Sequence, residues 1–374
     1  MARILVLSFS DQARDPRVHR QLQALTENHD VAAAGFGAPN LEVEFVDIRP
    51  PASDLRARRS QAAGLLRMLT RRFDGAYWGN RVVRHALRRL EGARFDAVLS
   101  NDIDTLPLAL RLANGRPVVF DAHEYYPEHF SGRWWRLTLG AHMKHLCRTY
   151  MRRASTVMTV SPGIAHRYRD ELGVHAEVVM NLPERVELAP SPVSSPIRLV
   201  HHGSAERRRG LDAMIEAMAL LRGDYRLDFA LVGQERDRER LRMAAVADER
   251  ISFVSPVPMP QLPSFLNSYD VGVYLLRPDS FNQLHALPNK LFEFVQARLA
   301  VVIAPSPDMA EVVRRHEVGV VADDFSPEAF ARALAGLDAE RLASLKSNAD
   351  RAAARLNADT GRAEVLRLVD RALA

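Results

Sequence analysis

The sequence predicts an α/β protein built from two doubly wound, Rossmann-like parallel-sheet domains. Three observations carry that expectation. Short apolar runs of β type alternate with longer helical patterns along most of the 374 residues. The runs are apolar almost throughout instead of alternating with polar residues, as strands covered on both faces require. Midway, residues 183–196 hold four prolines and three serines, which reads as a semi-rigid linker. A chain of this length also exceeds what one ordinary core holds.

Six strands are expected before the linker, at 3–9, 31–36, 97–100, 118–121, 156–160 and 177–180. Six more are expected after it, at 198–202, 227–232, 251–253, 271–275, 300–303 and 319–321. Beyond Phe325 the chain reads as helices to its end. The expected organisation is an N-terminal domain over 1–183, a linker over 184–196, and a C-terminal domain over 197–355. A terminal helix over 356–374 is expected to pack back on the first domain. In open sheets of this kind ligands bind beyond the carboxyl ends of the strands, and a two-domain version puts the site in the cleft between them.

Apolar content of 47% and charged content of 26% are those of a globular protein in water. No apolar run approaches the ~20 residues of a membrane span. The opening Met1-Ala2-Arg3-Ile4-Leu5-Val6-Leu7 has too short an apolar core for a signal peptide and reads as a buried strand. The single Cys147 excludes an internal disulfide and fits a reducing compartment, and it reads as a small buried hydrophobe. A cytoplasmic protein is therefore expected, with peripheral attachment to the inner membrane face suggested by its charge. The formal net charge is only +5, but residues 51–95 hold eleven arginines against three acids, and residues 131–153 hold six bases and no acid.

Chemistry is expected at the strand ends. After the first strand, Asp15 reads as a helix N-cap with Pro16 at the first helical position, which puts Arg17 and His19 on the first turn. Arg17 reads equally as a ligand-facing group or as part of a solvated helix start. No GxGxxG follows the strand, so a nicotinamide dinucleotide site lacks its main support. After the third strand come Asp102 and Asp104. Asp104 is expected to cap the next helix, leaving Asp102 as a hydroxyl acceptor or half of a metal-ligand pair. After the fourth come His123 and Glu124. A histidine there can hydrogen-bond a sugar hydroxyl or move a proton near neutral pH, whereas HxE alone is a weak metal motif.

In the second half, His201-His202-Gly203-Ser204 leads into Arg207-Arg208-Arg209-Gly210. Gly203 permits a tight turn, and a guanidinium beside a helix start suits a diphosphate, with position favouring Arg209 over its neighbours. Gly233 at the next strand end admits close backbone approach. The most informative stretch is Leu287-Pro288-Asn289-Lys290-Leu291-Phe292-Glu293, just before the apolar run 299–304. A loop with an Asn and a Lys opens a short helix whose N–H groups and dipole hold an anion, most readily a phosphate. Glu293, about a turn deeper, can accept hydrogen bonds from ribose hydroxyls.

Together these residues resemble a retaining glycosyltransferase of family 4, with the GT-B architecture of two Rossmann-like domains facing across a cleft. The resemblance rests on Asp15-Pro16-Arg17-Val18, Asp121-Ala122-His123-Glu124, Val160-Ser161-Pro162-Gly163, Asn181-Leu182-Pro183, Gly203 to Gly210, Leu231-Val232-Gly233 and Leu287 to Glu293. Their order and spacing match over nearly the whole chain. The resemblance implies that the second domain binds a nucleotide-diphosphate sugar. Glu293 matches the later Glu of the family's E-x7-E motif, which holds the ribose, and Arg209 matches the basic residue before Gly that grips the diphosphate. Backbone N–H groups across Pro288, Asn289, Lys290 and Leu291 cradle that group, with Gly203, Ser204 and Gly233 nearby. His123 matches the first-domain His that contacts the donor sugar, and Asp15 and Arg17 resemble an acceptor-side pattern that Asp102 and Glu124 join. Two departures stand out: His285 replaces the first Glu of the motif, and Ser204 stands where many members carry Arg. Lys290 is expected to offset the second.

The implied reaction moves a hexose from a UDP or GDP sugar with retention of configuration and no cofactor or metal. Arg209, Lys290 and helix N–H groups would stabilise the leaving group, with His123 beside the reacting carbon. Two rival readings are a nucleotide-sugar epimerase of the same architecture, and a catalytically silent nucleotide-binding homologue that acts as a partner subunit. The acceptor is expected to be a glycan, a lipid-linked sugar or a small molecule. Residues 131–153 join Trp134 and Trp135 to six bases and to Leu137, Leu139, Met143 and Leu146. That suits an anionic membrane surface, or else a helix with aromatics inward and bases in water. Nothing in the sequence resembles a nucleic-acid recognition motif.

Overall fold

The computed structural model describes residues 1–51, 55–128, 132, 135 and 137–374, without the side chains of 55–61. Expectations placed on Arg133, Trp134 and Arg136, and on the side chains of Arg56, Arg58 and Arg59, lie outside the described residues. The chain forms two compact units. One comprises Met1–Met180, Ser280–Gln283 and Gly361–Ala374, and the other Asn181–Asp279 and Leu284–Thr360.

The first unit holds a parallel sheet of β1 (Arg3–Leu7), β2 (Asp30–Gly35), β3 (Glu44–Asp47), β4 (Ala97–Asn101), β5 (Val118–Asp121), β6 (Thr156–Thr159) and β7 (Ala176–Val178). Their order is β3-β2-β1-β4-β5-β6-β7, with Leu5 opposite Ala32 on one side and Val98 on the other. Its helices are α1 (Pro16–Thr26), α2 (Leu55–Leu69), α3 (Phe73–Trp78), α4 (Arg81–Arg89), α5 (Leu106–Ala113), α6 (Leu139–Tyr150) and α7 (Pro162–Leu172). Alternate residues of β1 feed opposite faces of the sheet. Leu5 and Leu7 enter a core with Val98, Phe120 and Tyr168, while Ile4 and Val6 enter one with Leu22, Leu99 and Val119. That is why the strand sequences show no polar alternation.

The second face is completed by the terminal helix Ala358–Leu373, whose Val365, Leu368 and Val369 are buried in that core. Spacing of three and four puts them on one stripe, and burying each contributes roughly 1.5–3 kcal/mol. His29 Nε2 lies 3.0 Å from Asp370, and Arg367 donates to Glu177 at 2.7 Å. Cys147 is buried on α6, and burial pushes its thiol well above the ordinary range.

Two local expectations fail. β3 was not foreseen, because it is an edge strand with exposed Glu44 and Asp47 and no apolar run to mark it. Asp104 does not cap α5. Thr105 occupies that position, its hydroxyl donating to the Asn101 carbonyl at 2.6 Å, and the Asp104 carbonyl instead accepts from Tyr77 at 2.8 Å.

The second unit holds a parallel sheet of β8 (Ile197–Ser204), β9 (Tyr225–Val232), β10 (Ile251–Val254), β11 (Val271–Tyr274), β12 (Ala300–Ile303) and β13 (Gly319–Val321), in the order β10-β9-β8-β11-β12-β13. Its helices are α8 (Asp212–Leu220), α9 (Glu235–Ala245), α10 (Leu262–Asn267), α12 (Asn289–Gln296), α13 (Pro307–His316), α14 (Pro327–Ala335) and α15 (Ala339–Ala353); the short α11 (Phe281–Leu284), which precedes α12 in sequence, falls mostly in the first unit. Residues 184–196 carry no regular element but are strapped to this unit. The Val186 amide donates to Gln296 Oε1 at 3.1 Å and Ser191 Oγ to the Asn267 carbonyl at 2.6 Å. Beneath them Lys346 and Asp270, 1% and 0% exposed, pair at 3.2 Å, and Asp270 also accepts from the Ser194 and Arg198 amides. Removing either partner would leave a buried charge unpaired. Among the described residues no helix is long and apolar enough to cross a membrane.

Candidate functional site

In the second unit, the ends of β8 and β11 and the start of α12 bring Gly203, Lys290, His201 and Tyr274 together. Gly203 has φ +121°, and a Cβ there would stand 2.8 Å from Lys290 Nζ. The backbone thus favours glycine, and a Cβ there would push the Lys290 ammonium out of its place. Lys290 Nζ lies 3.4 Å from His201 Nε2 and 5.1 Å from the Tyr274 ring centre. His201 Nδ1 donates to the Val273 carbonyl at 2.9 Å, which leaves Nε2 as the acceptor facing Lys290. Burial, reinforced by Lys290, holds His201 well below its ordinary pKa, so the ring is neutral.

Arg209, in the turn Arg207–Arg209, is half-buried and hydrogen-bonds the Tyr274 side chain. Arg207 and Arg208 are exposed, and Arg208 is paired with Glu206 at 2.6 Å. Burial and then the charge of Arg209 pull Lys290 down to about 7, against the pull of Glu293. Glu293 follows Lys290 by three residues on the same helix face and is 12% exposed, with Oε2 3.3 Å from His202 Nε2. Burial and then Lys290 lower His202 to about 3, and burial raises Glu293. The cluster is therefore two cations against one carboxylate, with neutral imidazoles around them. An anion would relieve the strain on Lys290.

The expected backbone cradle is narrower than the sequence implied. Pro288 has no N–H, and the Leu291 amide donates to the Pro288 carbonyl at 3.0 Å, so the amides at the start of α12 are those of Asn289 and Lys290. Ser204 Oγ accepts from the Glu206 amide at 3.3 Å, and Gly233 adopts φ +120° beyond β9. His285 Nδ1 lies 2.8 Å from Asp308 Oδ2, a buried carboxylate in the first turn of α13.

In the first unit, the ends of β4 and β5 and the start of α1 form a second cluster. Asp15 caps α1 by accepting from the Arg17 and Val18 amides at 3.2 Å, and its other oxygen accepts from Ser10 Oγ at 2.8 Å. Arg17, with a side chain 12% exposed, places Nη2 2.9 Å from Asp102 Oδ2 and Nη1 3.4 Å from Asp121 Oδ2. That rules out a solvated helix start for this residue. His123 Nδ1 lies 2.7 Å from Asp102 Oδ1, which also accepts from Tyr126 at 3.0 Å. Gln21 donates to Asp121 at 2.6 Å. Burial opposes the charge on Asp102, but Arg17 and His123 outweigh it and hold the carboxyl well below the usual range. Burial pushes Asp121 up against the pull of Arg17.

Asp102, with φ +68°, thus has both oxygens engaged and orients the His123 ring. Of the two roles expected of it, Asp102 does accept from a hydroxyl, that of Tyr126. His123 Nε2 lies 3.8 Å from Glu124 Oε1. Sequence reasoning gave no role to His201, His202, Tyr274, Asp121, Tyr126, Gln21 or Asp308. The signal available for most of them was position at the end of a strand.

The description "Glycosyltransferase Family 4" matches residues 17–184, and "Glycosyl transferases group 1" matches residues 196–339. The fold is similar to sucrose-phosphate synthase from Thermosynechococcus elongatus, at 14% identity over 99% of each chain with a TM-score of 0.70. It is similar to HepE of Anabaena in complex with UDP-glucose, at 16% identity over 99% of this chain and 100% of that one, TM-score 0.67. A third similar structure is α,α-trehalose 6-phosphate synthase from Burkholderia multivorans, at 15% identity over 100% and 98%, TM-score 0.65. No curated protein sequence matches the chain significantly. The two parallel-sheet units are those of the GT-B fold, and the chain belongs to the group 1, family 4-like glycosyltransferases.

Proposed function

We propose that this glycosyltransferase takes a hexose from a UDP or GDP sugar and passes it on with retention of configuration, without a metal. The observation that carries this reading is the Lys290–Arg209–Glu293 cluster. Two cations beside a helix start meet a diphosphate, and a carboxylate one turn deeper meets the ribose hydroxyls. HepE, of the same fold, is recorded with UDP-glucose, which supports a nucleotide-sugar donor.

As the glycosidic bond to the leaving phosphate breaks, negative charge grows on the diphosphate. Arg209, the Lys290 ammonium and the Asn289 and Lys290 amides stabilise it. His285, held by Asp308, takes the place of the missing Glu at the donor sugar. His123, oriented by Asp102, serves the sugar from the first unit, while Asp15, Arg17 and Glu124 belong to the acceptor side. The acceptor hydroxyl gives its proton to the leaving phosphate, so no side chain is required as general base. A cytoplasmic setting is part of the proposal, and the single unpaired, buried Cys147 fits it.

Following a nucleotide-sugar panel by proton NMR tests this reading. The expected result is slow release of the nucleotide diphosphate, with the first-formed sugar keeping the donor's anomeric configuration. An inverted anomer overturns retention, and an epimerised donor without release overturns transfer.

A further inference from the structure

Residues 280–283 belong to the first unit, although the chain on either side of them, up to Asp279 and from Leu284, belongs to the second. Their partner is Tyr125, in the loop after β5. The Tyr125 amide donates to Asn282 Oδ1 at 2.8 Å, and Asn282 Nδ2 donates to the Tyr125 carbonyl at 3.2 Å. A primary amide side chain offers an acceptor and a donor side by side, so Asn282 closes a two-bond bridge much as a neighbouring strand would. Phe281 lies edge-on to the Tyr125 ring at 5.5 Å, and the Arg167 guanidinium stands 4.9 Å from the first ring and 5.6 Å from the second. Arg167 is itself held by Glu128 at 2.7 Å and Glu171 at 2.8 Å, and Glu171 also accepts from the Tyr125 hydroxyl at 2.5 Å.

Tyr125 is fully buried, so both of its backbone groups need a partner, and Asn282 supplies both. The peptides beside it are held by Tyr168, whose hydroxyl donates to the Glu124 carbonyl at 2.6 Å and accepts from the Tyr126 amide at 3.3 Å. On the amino side of His123, the Ala122 amide donates to the Met158 carbonyl at 2.8 Å, and the Ala122 carbonyl accepts from the Thr159 hydroxyl at 2.5 Å. His123 thus stands between two fixed stretches of backbone. Asp102 turns its ring, whereas the place of its Cα is set by these peptides, and two of their bonds come from Asn282.

We propose that Asn282, supported by Phe281, is a positioning residue for His123, closing a clasp on the loop that carries it. His285 follows the clasp by two residues, so the chain that holds this loop runs directly into the stretch from His285 to Glu293. The inference rests on the transferase reading for what His123 does. For how the loop is held, it rests on the first unit alone.

Hydrogen exchange and steady-state kinetics on the full chain test it together. Asn282→Ala should speed amide exchange across residues 123–126 by ~10-fold or more, while β8 and α12 exchange as in wild type. It should also lower kcat for nucleotide-sugar turnover ~10–100-fold with nucleotide diphosphate affinity unchanged. That loss should vanish in a His123→Ala background, since a residue that acts through His123 has nothing left to position once the imidazole is gone. Asn282→Asp keeps the acceptor for the Tyr125 amide and lacks the donor to its carbonyl. It should fall between wild type and Asn282→Ala in both readouts, and it carries the test if the alanine variant does not fold. Unchanged exchange overturns the clasp. An equal kcat loss with and without His123 overturns the positioning role, because a general packing defect acts in that way. Wild type inert toward every donor sinks the transferase reading, and the exchange result still decides the clasp.

Discussion

Raising the pH from about 6 to about 8.5 should weaken donor binding about 30-fold, and Lys290 is the reason. Burial and Arg209 set its pKa at about 7 in the unliganded protein, so the ammonium is half lost at neutrality. A diphosphate placed beside it restores the proton. If only the charged form binds, affinity follows the protonated fraction and falls, from its value at pH 6, about 2-fold by pH 7 and about 10-fold by pH 8. Calorimetry at several pH values, each in two buffers of different ionisation enthalpy, reads both the affinity and the proton uptake, which should approach one proton at pH 8. The ligand should be a nucleotide sugar, since a free nucleoside diphosphate has a terminal phosphate that titrates near ~6. Lys290→Arg should bind with no slope in this range, because the guanidinium stays charged. A flat wild-type profile without proton uptake would refute the placement of Lys290 against the anion.

Other consequences follow from the same contacts. Without ligand, the depressed pKa of Lys290 opposes folding. Between about 7 and its ordinary 10.5 the unfolded chain holds a proton the folded one lacks, so stability rises with pH over that window. Lys290→Met should therefore raise the melting temperature of the ligand-free protein at neutral pH while removing stabilisation by nucleotide, both visible by thermal shift. Glu293→Gln should weaken nucleotide-sugar binding ~10–100-fold, and a 2′,3′-dideoxyribose donor should bind wild type and variant alike. Gly203→Ala should weaken donor binding, since its Cβ would crowd Lys290 Nζ and its φ of +121° is unfavourable for alanine. His123→Ala should lower kcat by ~100-fold with nucleotide affinity unchanged, and Asp102→Asn should lower kcat in the same direction by weakening the hold on the imidazole.

The parallel sheets were legible because buried strands leave continuous apolar runs, and a run such as Ala300–Ile303 permits little else. β3 left no such trace, because an edge strand keeps half its surface in water. At the site, the stretch from Leu287 to Glu293 was readable because helix start, cation and carboxylate are neighbours in sequence, and Asp15 because a cap and a proline are a local signal. The pairing of Asp102 with His123 was not, nor that of His285 with Asp308. Each joins side chains from separate strand ends, and no local spacing records which ends become neighbours. The depressed pKa of Lys290 likewise depends on β8, β11 and the Arg207–Arg209 turn meeting around one ammonium. The wrong cap at Asp104 shows the limit on the small scale: Thr105 stands at that position one residue later, and its hydroxyl bonds back to the Asn101 carbonyl without capping an amide.

The most direct test of the account is nucleotide release from a panel of UDP and GDP sugars, by wild type and by the Arg209→Ala, Lys290→Met double variant. Wild type should release the nucleotide diphosphate from at least one donor, and the double variant should lose both binding and release. Equal release by the two proteins would contradict it, as would nucleotide binding without release from any donor.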